Sequence, residues 1–171
     1  TLWHTLSLHD ALPICGAAAT IEPLKEHLPH YGQRLANLFG AGGQAAYRGP
    51  RLYDAPETRE LVKKWVDFYK KHRAILDSDI IHVRRADGRG IDCMLHVNPD
   101  LEEKGLAMVY NPLDEPVDRK LTLPLYYTGL KENAEIRIKD GKPKSYKLTS
   151  DCEIEVPVKV EANGVTWLII E

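Results

Sequence analysis

The residues best suited to hold a polar ligand stand side by side in a glycine-rich segment at positions 40–53. Tyr47 offers an aromatic face, and Arg48 beside it offers a planar guanidinium with several hydrogen-bond donors. Such a pair can stack on a polar ligand and hydrogen-bond to it. An arginine bonded only to loop carbonyls is the simpler structural interpretation. We take Tyr47 and Arg48 as candidate binding residues and assign them no catalytic role.

The histidines and cysteines offer little metal chemistry. His27 and His30 are three residues apart in a helical pattern and could present two imidazoles to one metal ion. No third ligand is evident, so we interpret them as solvated and expect neither a metal nor another cofactor. His72 lies within an apolar helix stripe, where a general base could be hidden. A core histidine bonded to a backbone carbonyl is the expected role.

The three cysteines are an odd set without close spacing, which predicts neither a disulfide framework nor a zinc site. They are Cys15, Cys93 and Cys152. A bridge between Cys93 and Cys152 is conceivable, but two buried free thiols are the simpler interpretation.

Composition limits the class of protein. The chain has 171 residues, of which 43% are hydrophobic and 28% charged, as in a globular protein. The net charge of −2 argues against a surface built for nucleic acid or anionic lipid. No apolar run reaches the roughly 20 residues that span a bilayer. We therefore expect neither nucleic acid nor a membrane among the partners.

The clearest predicted element is an amphipathic helix over Pro56–Leu76. Asp54 and Pro56 are typical of a helix start, and Arg73 of a helix end. At 100° per residue, one side of this helix is apolar and the other is charged. The apolar stripe consists of Leu61, Trp65, Phe68, Tyr69, His72, Ile75 and Leu76. The charged side carries Glu60, Lys63, Lys64, Asp67, Lys70 and Lys71.

After Asp77 the apolar period changes from 3.6 to 2, which predicts about eight short strands and an antiparallel sandwich. Asp140-Gly141 and Asn163-Gly164 are hairpin signals, and Pro124 suggests an edge or a bulge. The predicted strands cover Ile80–Arg84, Ile91–Val97, Leu106–Tyr110, Leu121–Tyr127, Ala134–Ile138, Tyr146–Leu148, Cys152–Val160 and Val165–Ile170.

The first residues form a segment of a different kind. The string SLHDALPI within residues 1–14 resembles translated sequencing-adapter read-through, and we expect this segment to be non-native and the natural protein to continue upstream. Residues 16–40 follow a helical pattern that Pro29 breaks or restarts and Gly40 ends. The predicted organisation is an adapter-derived segment at 1–14, a helical part at 15–77 and a β-sandwich domain at 78–171.

Several motifs resemble one enzyme group. WVDFYKKHRAILDSDIIHVRR, DGRGID, LHVNP, GLAMVYNP and LPLYYTGL are similar to the C-terminal part of bacterial glycoside hydrolases related to α-galactosidases (melibiase-like enzymes). The resemblance implies an α+β chain: a helical remnant of a (β/α)8 barrel, with Pro56–Leu76 as its last helix, followed by the antiparallel sandwich. It also implies a periplasmic or extracellular location and a carbohydrate as partner. Tyr47 and Arg48 would lie near the top of the barrel, as substrate-binding residues.

The resemblance carries over no catalytic residue. Such enzymes use two carboxylates at the C-terminal ends of barrel strands, and those strands would precede residue 1. The acids within this chain stand at helix ends and strand turns, where capping or solvation explains them. They are Asp54, Asp77, Asp79, Asp87 and Asp92.

The alternative hypothesis is a free-standing carbohydrate-binding or protein-interaction module. Such a module should present several aromatic side chains on one exposed face or rim. Tyr110, Tyr126, Tyr127 and Tyr146 are the candidates, although period-2 placement turns at least two of them inward.

Overall fold

A computed structural model describes residues 21–43, 51–84 and 86–171. The predicted adapter segment at 1–14 and the candidate pair Tyr47 and Arg48 lie outside these ranges. The chain forms two compact units, of which the first ends at Arg73 and the second is Ala74–Glu171. In the described part of the chain, no helix combines the length and apolarity needed to cross a membrane.

The first unit is helical. A 3-10 turn at Leu24–His27 precedes helix α1 (Leu28–Gly40), and helix α2 covers Pro56–Leu76. Pro29 stands in the first turn of α1, where proline lacks only an N–H group that has no partner within the helix. The predicted restart at Pro29 and the predicted end at Gly40 are therefore confirmed.

The amphipathic pattern of α2 is confirmed. Trp65, Phe68 and His72 are buried, and the six charged residues of the opposite side are exposed. The rings of Trp65 and Phe68 meet edge to face at 5.4 Å. At His72 the backbone leaves the helical region, with φ −107° and ψ 16°, which bends the last turn of the helix.

Helices α1 and α2 pack through an aromatic pair and a small residue. The rings of Phe39 and Tyr69 are 5.5 Å apart. Gly32 of α1 faces Leu61 of α2 so closely that an added Cβ atom would lie 3.4 Å from both methyl carbons of Leu61. The apolar stripe thus has a partner within the first unit.

The second unit contains eight strands in two antiparallel sheets. The six-stranded sheet has the order β1-β2-β3-β8-β5-β6, and the two-stranded sheet pairs β4 with β7. The strands are β1 (Asp79–His82), β2 (Asp92–Val97), β3 (Gly105–Tyr110), β4 (Val117–Pro124), β5 (Asn133–Ile138), β6 (Lys144–Lys147), β7 (Glu153–Val160) and β8 (Val165–Ile170).

One hydrophobic core joins the two sheets, so the predicted sandwich is confirmed. Alternate residues of the large sheet, such as Leu95, Val109 and Leu168, share this core with Leu123 and Val156 of the small sheet. All five are at most 2% exposed. Each buried aliphatic side chain of this kind contributes roughly 1.5–3 kcal/mol before the entropy of ordering it is subtracted.

The two turn signals have different outcomes. Asp140-Gly141 lies between β5 and β6, which pair directly, so the predicted hairpin is confirmed. Asn163-Gly164 lies between β7 and β8, which belong to different sheets. The predicted hairpin at Asn163-Gly164 is therefore wrong: this turn carries the chain from the small sheet to the large one.

The predicted fourth strand is partly wrong. It ends at Pro124, and Tyr126–Thr128 forms a 3-10 turn instead of strand. Proline has no N–H group for a further ladder bond, so Pro124 is placed naturally at the end of the pairing with β7.

The buried side chain of Asn111 holds the corner between the two sheets. Its Nδ2 group donates to the carbonyl oxygens of Glu115 at 2.8 Å, Glu161 at 3.0 Å and Val160 at 3.3 Å. Its Oδ1 atom accepts from the amide of Leu113 at 3.1 Å. The side chain is 1% exposed, so these bonds replace the water that the amide would otherwise bind.

The other Asn-Pro motif has the same kind of role. Asn98 accepts from the Asp100 amide at 3.0 Å and donates to the Ser78 hydroxyl at 3.1 Å. Both motifs that contributed to the resemblance therefore fix strand ends through hydrogen bonds within the second unit.

Candidate functional site

Described residues that follow Tyr47 and Arg48 in the sequence form a cleft in the first unit. Its volume is about 450 Å³, and it is lined by Arg51, Tyr53, Asp54, Ala55, Pro56, Arg59 and Glu60. In sequence order, the first lining residue is Arg51, which is also the first described residue after Tyr47 and Arg48. Sequence reasoning did not single out Arg51, Tyr53 or Arg59. Like Tyr47 and Arg48, these residues combine an aromatic ring with guanidinium groups, and this composition could have identified them.

The cleft offers an aromatic face and hydrogen-bonding groups of both charges. Tyr53 is 47% exposed, and the guanidinium carbon of Arg59 lies 6.0 Å from the centre of its ring. Asp54 and Glu60 add carboxylates to the same lining. A flat apolar surface next to several polar groups suits a ligand that carries many hydroxyls.

The floor of the cleft is held in place by residues distant in sequence. Arg51 pairs with Glu22, with each of two guanidinium nitrogens 3.1 Å from a carboxylate oxygen. The hydroxyl of Tyr31, which is 2% exposed, donates to the carbonyl of Leu52 at 2.8 Å. The segment that leads into α2 is therefore fixed before any ligand arrives.

Asp54 serves the start of helix α2. Its Oδ2 atom accepts from the Lys25 amide at 3.2 Å, and its Oδ1 atom accepts from the Thr58 hydroxyl at 3.1 Å. Partial desolvation alone would raise the pKa of Asp54, but these hydrogen bonds outweigh it and lower the pKa below the ordinary value. A carboxyl that stays ionised in this way is a poor general acid near neutral pH.

Thr58 completes the cap and was missed by sequence reasoning. Its hydroxyl accepts from the amides of Asp54 at 3.1 Å and Ala55 at 3.0 Å, and it donates to the Ala55 carbonyl at 2.8 Å or to Asp54. The residue is 0% exposed. Only the structure shows that the cap reaches forward to Thr58.

We expect Thr58→Val to lower the free energy of unfolding by about 1–2 kcal/mol, because a methyl group cannot accept from the two amides. Thr58→Ser keeps the hydroxyl and should retain most of the stability. Chemical denaturation of the two variants checks this. Equal midpoints for Thr58→Val and the natural chain would show that the cap does not contribute.

The remaining acids are divided between two connecting segments, with Asp77 and Asp87, and two strands, with Asp79 in β1 and Asp92 in β2. The Arg89 amide donates to Asp87 at 2.9 Å and, against partial desolvation, lowers the pKa of Asp87, with a further contribution from Arg84. Desolvation raises the pKa of half-buried Asp92, and the nearby Asp87 carboxylate adds to this shift. Asp77 and Asp79 are exposed. Of the five acids, Asp54 is the one that lines the cleft described above.

The histidines do not form a metal site in the described part of the chain. His30 accepts from the Arg34 guanidinium at 3.1 Å. Partial desolvation lowers the pKa of His30, with Arg34 and His27 adding to the shift. The structure therefore gives His30 an arginine partner. Within the described residues no group of three histidine, cysteine or acidic side chains is arranged to hold a metal ion.

Cys93 and Cys152 are both free thiols. Cys93 is buried as expected, and this burial, with a further contribution from Asp92, raises its pKa to about 12. Cys152 is only half-buried. A thiol with so high a pKa is a poor nucleophile near neutral pH, which argues against Cys93 as a reactive group.

The four candidate tyrosines separate into two pairs. Tyr110 and Tyr146 are half-buried, and burial raises the pKa of Tyr110. Tyr126 and Tyr127 are 69% and 63% exposed. The expectation that at least two of the four turn away from solvent is therefore confirmed, and the exposed pair lies in the 3-10 turn after β4.

No family model and no curated protein sequence matches the chain. Solved structures do resemble it. The α-galactosidase I from Mortierella vinacea superposes with a TM-score of 0.53 at 12% identity, over 82% of this chain and 35% of that chain. A GH27 β-L-arabinopyranosidase from Geobacillus stearothermophilus, in complex with arabinose, gives 0.53 at 9% identity, over 82% of this chain and 30% of that chain.

An α-amylase from Geobacillus thermoleovorans, complexed with acarbose, gives a TM-score of 0.56 at 15% identity, over 84% of this chain and 33% of that chain. This chain shares its fold with part of these glycoside hydrolases. It spans about a third of the length of each of them. At these identities the similarity establishes the fold, and it confirms the resemblance that the sequence motifs indicated.

The glycoside-hydrolase fold is shared over more than the sandwich. The second unit, Ala74–Glu171, has 98 of the 171 residues, so a match over 82% of the chain also includes part of the helical first unit. A helical part followed by an antiparallel sandwich is the arrangement that the resemblance implied.

Proposed function

We propose that this chain is the C-terminal part of a carbohydrate-hydrolysing enzyme related to α-galactosidases. The observation that carries the proposal is a fold shared over 82% of this chain but only 30–35% of the two galactosidase-like enzymes. In this proposal α2 is the last helix of a (β/α)8 barrel, and the barrel strands that hold the catalytic carboxylates precede Thr1.

The roles of four of the five acids in this chain support the proposal, whereas the raised pKa of half-buried Asp92 does not. Hydrolysis of a glycosidic bond requires two carboxyl groups on opposite sides of it, about 5–5.5 Å apart for retention or about 6.5–9.5 Å for inversion. One of the pair also needs a raised pKa to act as an acid. Asp54 and Asp87 are held ionised by hydrogen bonds. Asp77 and Asp79 are exposed at the start of the sandwich.

The cleft beside the helix start suits the role of a substrate-binding wall. Tyr47 and Arg48 remain the predicted binding residues, and Arg51, Tyr53 and Arg59 extend the same chemistry into the described cleft. In the complete enzyme these groups orient a sugar, while the carboxylate pair lowers the barrier. Binding without that pair gives no acceleration.

A second candidate is a free-standing carbohydrate-binding or protein-interaction module. The exposed pair Tyr126 and Tyr127 favours it, because such modules present aromatic rings to their ligands. The genomic sequence upstream distinguishes the two hypotheses. A continuing reading frame with alternating strands and helices supports the enzyme.

We expect the purified 171-residue chain to hydrolyse no glycoside, whereas the protein extended upstream does. The measurement is a screen of aryl α- and β-glycosides with both proteins in parallel, with heat-inactivated samples as background. Turnover by the 171-residue chain that is lost in Asp77→Asn, Asp79→Asn or Asp92→Asn would place the active site inside this chain and overturn the proposal.

A further inference from the structure

The most exposed aromatic surface of the described chain is a pair of adjacent rings on the sandwich. Tyr126 is 69% exposed and Tyr127 is 63% exposed. Their ring centres are 5.2 Å apart, and the ring planes are nearly perpendicular, at 89°. Large aromatic side chains normally bury most of their surface, so two neighbouring rings in solvent need an explanation.

The turn beneath the two rings is firmly anchored. Leu125 and Thr128, on either side of the pair, are both 0% exposed. The Thr128 hydroxyl donates to the Leu125 carbonyl at 2.6 Å, and the Leu125 amide donates to the Cys152 carbonyl at 2.8 Å. Gly129 ends the turn with a φ of 76°, a conformation that favours glycine. The backbone therefore holds both tyrosines outward.

The chemistry of the pair suits a sugar. A tyrosine ring offers a flat apolar face with a hydroxyl at its tip, and it loses little entropy on binding because it has only two side-chain torsions. With perpendicular rings, one ring can lie against the C–H face of a pyranose. The other can then present its hydroxyl to the hydroxyls at the edge of the sugar.

The exposed area of the two rings fits a sugar ligand better than a protein partner. Two tyrosines exposed to about two thirds present roughly 200–300 Å². Each partner in a standard protein interface buries about 800 Å². The neighbouring residues Lys131, Glu132 and Asn133 are exposed and polar, so the apolar surface does not extend along the chain. A ligand the size of one or two sugar units matches this area.

We propose that Tyr126 and Tyr127 form a carbohydrate-binding platform that acts apart from catalysis and binds pyranose units of an oligosaccharide. The choice of a sugar as ligand rests on the proposed function. The platform itself needs no catalytic carboxylate, so it operates in the 171-residue chain. In the complete enzyme it would hold a polymeric or branched substrate on the sandwich.

The test is a titration of the 171-residue chain with maltotriose and with melibiose, followed through the NMR signals of the tyrosine rings. We expect the ring signals of Tyr126 and Tyr127 to shift with at least one of these sugars. Tyr126→Ala and Tyr127→Ala should each weaken the binding about tenfold. Because both side chains are exposed, the variants should unfold at the temperature of the natural chain.

Ile138→Ala is the matched control, since Ile138 is also an exposed apolar side chain of the second unit, at 40%, but lies at the end of β5 and in neither proposed binding surface. Unchanged ring signals at millimolar concentrations of both sugars would overturn the platform. So would a loss of affinity in Ile138→Ala equal to that in the platform variants. Glycoside turnover by the extended protein is measured in a separate experiment. A negative titration would therefore contradict the platform but not the proposed function, and absent turnover would contradict the proposed function but not the platform.

Discussion

Trp65→Ala should lower the free energy of unfolding by about 3–5 kcal/mol, as truncation of a large core aromatic does. Trp65 is 3% exposed and packs edge to face with Phe68. Replacing the indole with a methyl group leaves a cavity that the surrounding helices can fill only in part. It also removes the ring over which the Lys64 ammonium lies at 5.5 Å. Urea denaturation followed by circular dichroism measures the change.

The matched control for Trp65→Ala is Lys70→Ala on the exposed side of the same helix. That variant should stay within about 0.5 kcal/mol of the natural chain. If Trp65→Ala changed the stability no more than Lys70→Ala, the apolar stripe of α2 would not be part of a packed core. The conclusion that the apolar stripe has a packing partner within the first unit would then be wrong.

Asn111→Asp should destabilise the sandwich by about 3–5 kcal/mol at neutral pH. The substitution replaces an amide that donates to three carbonyls with a carboxylate that faces the same three oxygens in a site that is 1% exposed. An unpaired charge in a buried site carries a penalty of this order.

The penalty of Asn111→Asp should depend on pH in a defined direction. The surrounding carbonyls disfavour the charged form, so the pKa of the introduced carboxyl is higher in the folded state than in the unfolded state, where it is about 3.9. The folded state then binds the proton more tightly, and the penalty grows as the pH rises above about 4. Thermal unfolding at pH 4 and pH 7 should show the smaller difference from the natural chain at pH 4.

Asn133→Asp is the control, since Asn133 is exposed at the start of β5. It should change the stability by less than about 0.5 kcal/mol at either pH. If Asn111→Asp lost the same amount of stability at pH 4 and pH 7, the loss would come from the lost hydrogen bonds and packing and not from the buried charge.

Local sequence patterns were sufficient for the elements with strong periodicity. The stripe of α2 and the alternation in β7 identify buried faces, because side chains repeat every 3.6 residues on a helix and every two on a strand. Asp140-Gly141 also predicted its hairpin correctly, since the turn joins two strands that pair directly. The resemblance to glycoside hydrolases came from short motifs. Of the two Asn-Pro motifs, Asn98 bonds to Ser78 just before β1, and Asn111 bonds to Val160 at the end of β7.

The candidate site was predictable only in part. Asp54 was correctly predicted at the start of α2. Tyr47 and Arg48 lie outside the described residues and remain a prediction, and the cleft residues Arg51, Tyr53 and Arg59 were not singled out. Thr58 could not be identified as a capping residue, because its role depends on how the chain before α2 bends back toward it. Tyr126 and Tyr127 were two of the four candidate tyrosines, but the alternation that predicted strand through Tyr127 did not show that both rings are exposed.

What the sequence determined by itself was the order of the elements, their buried faces and the class of the fold. Apart from the hairpin at Asp140-Gly141, which strands pair was decided only in the tertiary structure. Asn163-Gly164 has the composition of a hairpin turn, yet β7 pairs with β4 and β8 pairs with β3 and β5. Turn chemistry fixes the local backbone angles, whereas sheet membership depends on which distant strands bury a shared core and satisfy each other's hydrogen bonds.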